Sequence, residues 1–178
     1  VCSSDLSKYV NCDLLLATFQ KIVANPNSID FDIINLSLDI LPEYVKPVQD
    51  CINTVLSKGV ITVVAAGSNN ILNQTASLKN VIRIGVITLP SVSALSPEYD
   101  IVFHDEDIRS LTVNNGYDSW GSDSAYTALT SGIVATWLSG QNISKNPNRT
   151  SLALRYMKNN ATQFISGNSL EKFKPYKL

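Results

Sequence analysis

In the run Ser122-Asp123-Ser124-Ala125-Tyr126-Thr127-Ala128-Leu129-Thr130-Ser131-Gly132, followed by the apolar Ile133-Val134-Ala135-Thr136-Trp137-Leu138, Ser124 stands at the mouth of a predicted helix. Backbone N–H groups and the positive end of the helix dipole favour an attacking oxygen there, and the anion that attack produces. The chemistry on offer is nucleophilic attack by the Ser124 hydroxyl. A serine at this position is also a routine helix cap, so both roles stand open from spacing alone. A serine nucleophile needs a base, and the chain holds one histidine, His104, which follows a predicted strand and reads as structural or solvated.

Four other constellations carry less. Asp105-Glu106-Asp107 has the oxygens for a calcium ion but not the ligand spacing, and reads as a solvated loop. Gly67-Ser68-Asn69-Asn70 follows a strand as a dinucleotide loop would, yet lacks G-x-G-x-x-G. Trp120 and Trp137 read as packing residues. The Asn-x-Ser/Thr triplets at Asn35, Asn73, Asn142, Asn148 and Asn160 are what an Asn-rich chain yields by chance.

The elements that must position Ser124 follow from periodicity. From Asp13, a candidate N-cap, apolar residues recur at helical spacing until Asn25-Pro26-Asn27. Phe31 to Ser37 is short and β-branched, the pattern of a strand covered on both faces. Val45, Val48, Cys51, Ile52, Val55 and Leu56 form one apolar stripe, ended by Gly59, and predict a crossover helix. Val60 to Ala66 then predicts a second strand, and the order strand, helix, strand without a tight hairpin predicts parallel pairing. Val81 to Ile87 and Tyr99 to Phe103 predict two more strands. Ser124 to Leu138 predicts a helix apolar nearly all round and therefore buried, and Thr150 is placed to cap a last helix.

A chain of 178 residues, 44% hydrophobic and 16% charged, suffices for one packed domain. The formal net charge of -1 and scattered Lys and Arg give no basic face for phosphates, which argues against nucleic acid as a partner. The longest apolar runs fall short of the ~20 residues that span a bilayer, so no membrane span is expected in this piece. Cys2, Cys12 and Cys51 have no metal-ligand spacing and read as free thiols. Val1 to Leu6 reads as the in-frame translation of a sequencing adapter. Residues 1–12 are therefore expected to be a non-native or truncated N-terminal segment, and 13–178 the domain.

With these elements in order, the chain resembles the C-terminal two thirds of a subtilisin-family (subtilase) serine peptidase domain. Asp32 to Leu38 is similar to the family's strand ending in Ser-Leu-Gly-Gly, and Lys58 to Gly67 to its strand ending in Ala-Ala-Gly-Asn. Asn80 to Val86 resembles the Val-Ile-x-Val-Gly strand, and Ser122 to Gly132 falls on Gly-Thr-Ser-Met-Ala-Ser-Pro-His-Val-Ala-Gly. Asn146-Pro147-Asn148-Arg149-Thr150 matches the turn before the family's last helix. The resemblance implies a three-layer α/β fold, with a mainly parallel central sheet, helices on both faces and an N-terminal truncation. It implies a serine endopeptidase acting on peptide or protein substrates. Ser124 is then the nucleophile, Ser68 and Asn69 the oxyanion donors, and Ser37, Leu38, Ala66 and Gly67 the substrate-binding segments. No cofactor is implied; calcium is a family option that nothing in these residues supports. Family habit also implies an extracellular or cell-surface setting.

The departures are specific. Ser122 and Asp123 replace Gly and Thr before the nucleophile, Ala128-Leu129 replaces Pro-His after it, and Ser68 stands where the oxyanion Asn is expected. Asp39-Ile40 replaces the Gly-Gly of the cleft strand. The family's His-Gly-Thr and Asp-x-Gly motifs, which carry the base and its orienting acid, are not found, so the chain is expected to be inactive as given. The alternative is a catalytically dead subtilase-like domain kept for binding.

Overall fold

The computed structural model describes residues 11–68, 71–87, 98–104, 108–112 and 116–161. Its frame is a parallel sheet in the order β1 (Ile33–Leu36), β2 (Ile61–Ser68), β4 (Ile82–Ile87) and β5 (Ile101–His104). A two-residue strand, β3 (Ile71–Leu72), turns back antiparallel against the end of β2. Helix α2 (Val45–Ser57) makes the crossover from β1 to β2, as its apolar stripe predicts. Gly59 closes that crossover at φ 78, and a Cβ there would lie 2.4 Å from the Asn146 backbone nitrogen, so both backbone shape and space require glycine.

Alternation along the strands sorts the core into two layers. Leu36 and Val64 pack with Val48 and Ile52 of α2 and with Phe19 of α1 (Cys12–Val23) on one face. Ile61, Val63, Ile82 and Ile84 pack with Tyr126 and Val134 of α3 (Asp123–Ser139) and Met157 of α4 (Arg149–Asn160) on the other. This is the three-layer arrangement that the family resemblance implies. A separate antiparallel hairpin, β6 (Ile108–Leu111) and β7 (Tyr117–Trp120), leads into α3.

Several boundaries and burials differ from the sequence reading. The N-cap of α1 is Asn11, whose side chain accepts the Leu14 N–H at 3.0 Å, whereas Asp13 sits in the first turn and accepts the Tyr44 hydroxyl. Helix α4 starts at Arg149, so Thr150 is inside it rather than its cap. Strand β1 is not covered all round: Asn35 is exposed, and among the described residues β1 has a neighbour on one edge only. Helix α3 is likewise buried on one side, through Tyr126, Thr127, Thr130 and Val134, while Leu129 is 41% exposed. Its apolar composition does not report burial because the exposed positions carry small side chains such as Ala128, Gly132 and Ala135.

Candidate active site at the start of α3

The first turn of α3 is fixed by its own side chains. Ser122 is the N-cap and its Oγ accepts the Ala125 N–H at 3.3 Å, while Thr127 Oγ1 donates to the Asp123 carbonyl at 2.6 Å. An N-cap serine satisfies a helix donor that has no intrahelical acceptor. Ser124 is thereby held half-buried in the first turn, beside the segment that leaves the carboxyl end of β1. Crevices at the carboxyl ends of parallel strands are where α/β sheets place their chemistry.

Ser124 and Ser37 bind each other reciprocally. Ser37 Oγ donates to the Ser124 carbonyl at 2.8 Å, and Ser124 Oγ donates to the Ser37 carbonyl at 3.3 Å. Asn35 supports this pair by donating to Ser37 Oγ at 2.8 Å, and Ser131, one face along α3, donates to Asn35 Oδ1 at 3.0 Å. Residues far apart in sequence are thus joined through short polar side chains between β1 and α3.

A second set ties α3 to the end of β2. Asp123 Oδ1 accepts the Ser124 N–H at 2.8 Å, and Oδ2 accepts the Asn73 side-chain amide at 2.9 Å. Asn73 also donates through its amide to the Ala65 carbonyl at 3.3 Å and through its backbone N–H to the Ala66 carbonyl at 3.1 Å. Thr75 donates its hydroxyl to the same Ala65 carbonyl. Asp39 bridges the strand ends, accepting the backbone N–H groups of Gln74 at 2.7 Å and Thr75 at 3.4 Å. The ion pairs among the described residues fall elsewhere, at Lys46–Asp50, Arg83 with Glu98 and Asp100, and Asp32 with Lys145 and Arg149.

Ser124 and Ser37 are therefore brought into direct contact. Leu38 is half-buried next to Ser37, and Ala66 and Gly67 are buried at the end of β2. Beyond Val64, where β1 stops, β3 takes up the register beside β2: Gly67 pairs with Leu72 and Ser68 with Ile71. Ser68 ends β2 half-buried, with Val86 of β4 on its other side. Asn69 and Asn70, like Asp105, Glu106 and Asp107, lie outside the described residues. His104 ends β5, and its carbonyl accepts the Tyr126 hydroxyl at 2.8 Å. Two strands separate β5 from β1, so His104 stands roughly 14 Å across the sheet from the β1 position.

Asn73 and Asn35 were not singled out for a role by the sequence. Each read as part of a chance triplet, and only the pairing of distant strands with α3 gives them partners. Among the described residues no group of three or more His, Cys, Asp or Glu side chains is placed to hold a metal ion, and no helix is long and apolar enough to cross a membrane.

Comparisons with known proteins bear on the fold. The fold is similar to a cold-adapted subtilisin-like serine proteinase, with TM-score 0.63 and 18% identity over 91% of this chain and 59% of that one. It is similar to the patellamide maturation protease PatA, with TM-score 0.67 and 19% identity over 93% and 64%. The prenylagaramide maturation protease PagA gives TM-score 0.64 and 20% identity over 94% and 63%. The chain thus spans less than two thirds of the length of these structures, and at such identities the likeness is one of fold. No curated protein matches the sequence. Residues 11–172 match the model of Peptidase_S8, the subtilase family, and that match runs through β1, β2, β4 and the α3 turn just described: the chain belongs to the subtilase family.

Proposed function

We propose that this chain is the nucleophile-bearing part of a serine endopeptidase that cleaves peptide bonds through an acyl-enzyme, with Ser124 as the attacking residue. The observation that carries the reading is the half-buried Ser124 hydroxyl in the first turn of α3, hydrogen-bonded to the segment leaving the end of β1. In the proposed reaction the Ser124 oxygen adds to the scissile carbonyl and the leaving amine departs with a proton. Water then hydrolyses the acyl ester. The Ser124 N–H, with the Ser68 hydroxyl and Asn69, would hold the oxyanion, while Ser37, Leu38, Ala66 and Gly67 would line the extended peptide. No cofactor enters this chemistry.

The base and its orienting acid are proposed to come from residues outside this chain, because His104 is across the sheet. Two features support that reading. Among the described residues, the outer edge of β1 has no neighbour and one face of α3 is exposed. The matched structures also extend well beyond the part this chain covers. Without the base, the 178-residue chain is expected not to turn over substrate, since the members of a triad act as a unit.

The test is reaction with a fluorophosphonate probe in a longer protein carrying both missing groups. Labelling is expected in the wild type and none in Ser124→Ala; undiminished labelling of that variant would refute the assignment. A second reading, a subtilase-like domain kept for binding, is favoured by one observation: Asp123 occupies the Ser124 N–H. Absence of labelling in the intact wild-type protein is the result that selects it.

A further inference from the structure

Asp123 lies where the resemblance leads one to expect a neutral threonine, and its carboxylate is doubly anchored. One oxygen accepts the Ser124 N–H at 2.8 Å, the same donor that the oxyanion of the proposed reaction requires. The other accepts the Asn73 amide at 2.9 Å, and Asn73 is itself fixed to the Ala65 and Ala66 carbonyls of β2. A helix-terminal N–H bound to an anion is not available to a second one, and a carboxylate there repels the negative charge that develops on an attacked carbonyl. The Ser124 hydroxyl meanwhile donates to the Ser37 carbonyl, so its proton is already engaged.

We propose that Asp123 is an inhibitory positioning residue. It acts as a tethered anion that fills the oxyanion position at the start of α3 and holds Ser124 in a resting state until the carboxylate is displaced or neutralised. This inference rests on the reading of Ser124 as nucleophile. It assigns Asn73 the function of latch, since the Asn73 amide keeps the carboxylate turned over the helix end. Peptide binding along the end of β2 would compete for the backbone positions that Asn73 holds, giving the substrate itself a means of release.

The test uses the 178-residue chain and a short peptide boronic acid, an oxyanion mimic. The serine oxygen bonds to boron, the serine proton passes to water, and the tetrahedral anionic adduct is read by boron NMR and by titration. Asp123→Thr removes the carboxylate, and Asp123→Asn keeps an acceptor near the Ser124 N–H while removing the charge. Asp123→Thr is expected to bind the boronate about tenfold or more tightly than wild type, within the roughly 10²–10³ that a single oxyanion donor contributes. Asp123→Asn is expected to show a smaller gain in the same direction, and it serves alone if Asp123→Thr does not fold. Unchanged or weaker binding in both variants, or no adduct in either, overturns the inhibitory role. An adduct that persists undiminished in Asp123→Thr/Ser124→Ala instead overturns the assignment of Ser124, so the two failures are distinguishable.

Discussion

Gly85, in the middle of β4, faces the ring of Tyr99, and a Cβ at that position would come within 2.5 Å of the ring carbons. Tyr99 packs with Ala66 and Ala76 over the strand ends that border the Ser124 turn, so the ring has little room to retreat. Gly85→Ala is therefore expected to destabilise the fold by about 1–3 kcal/mol, the usual cost of overpacking a filled core. Urea unfolding checks it, and an unchanged midpoint would mean that the ring moves freely. Glycine here is a matter of close approach, since the strand itself needs no left-handed backbone. Ser124, by contrast, takes its character from neighbours: the same residue type is a cap at position 122 and a candidate nucleophile two residues on.

Helix α3 depends on its start. Ser122 holds an extended backbone before the helix, with its side chain on the Ala125 N–H, and Asp123 follows in the first turn, where a negative charge suits the helix end. Ser122→Ala is expected to cost about 1 kcal/mol, whereas Ser122→Gly costs only a few tenths, because glycine leaves the donor open to water. Chemical unfolding of the two variants, with the denaturant slope unchanged, separates loss of a cap from a wider rearrangement. The hairpin β6–β7 was not foreseen from sequence, and the reason is physical. Its residues are largely exposed, so no buried face imposes the alternation by which strands are recognised. Strand β2 is legible because both its faces are covered, which selects a nearly continuous apolar run, and β4 is legible from the same pattern although Arg83 interrupts it.

At the scale of the molecule, Arg149 locks the start of α4 to the start of β1. Its Nη1 donates to Asp32 at 2.6 Å and to the Gly59 carbonyl at 3.2 Å, and Lys145 adds a longer contact to Asp32. The Arg149 hydrogen bond, assisted by Lys145, holds the Asp32 carboxyl below the usual aspartate range. A carboxylate whose folded-state pKa is depressed contributes stability above its unfolded pKa, and that contribution disappears as pH falls through the folded value. Thermal melts are expected to show wild type losing stability on acidification below the ordinary carboxylate range. Asp32→Asn should begin less stable at neutral pH, since Arg149 is 5% exposed and loses its charged partner, and should have a shallower acid slope. Parallel acid slopes for the two proteins would exclude Asp32 as the responsible group.

By itself the sequence determined the parallel β1-α2-β2 unit, a strand read at Val81 to Ile87, a helix read from Ser124 to Leu138, and the family. The elements rest on local periodicity and caps, which a short window of residues contains, and the family on motifs that resemble it in order. Only the tertiary structure decided that Ser37 and Ser124 bond reciprocally, that Asn73 and Asp123 join β2 to α3, and that among the described residues α3 and β1 each keep an uncovered side. Those facts depend on which distant surfaces meet. A serine, an asparagine or an aspartate carries no sign in its own neighbourhood of the hydrogen-bond partner that chain folding will bring to it.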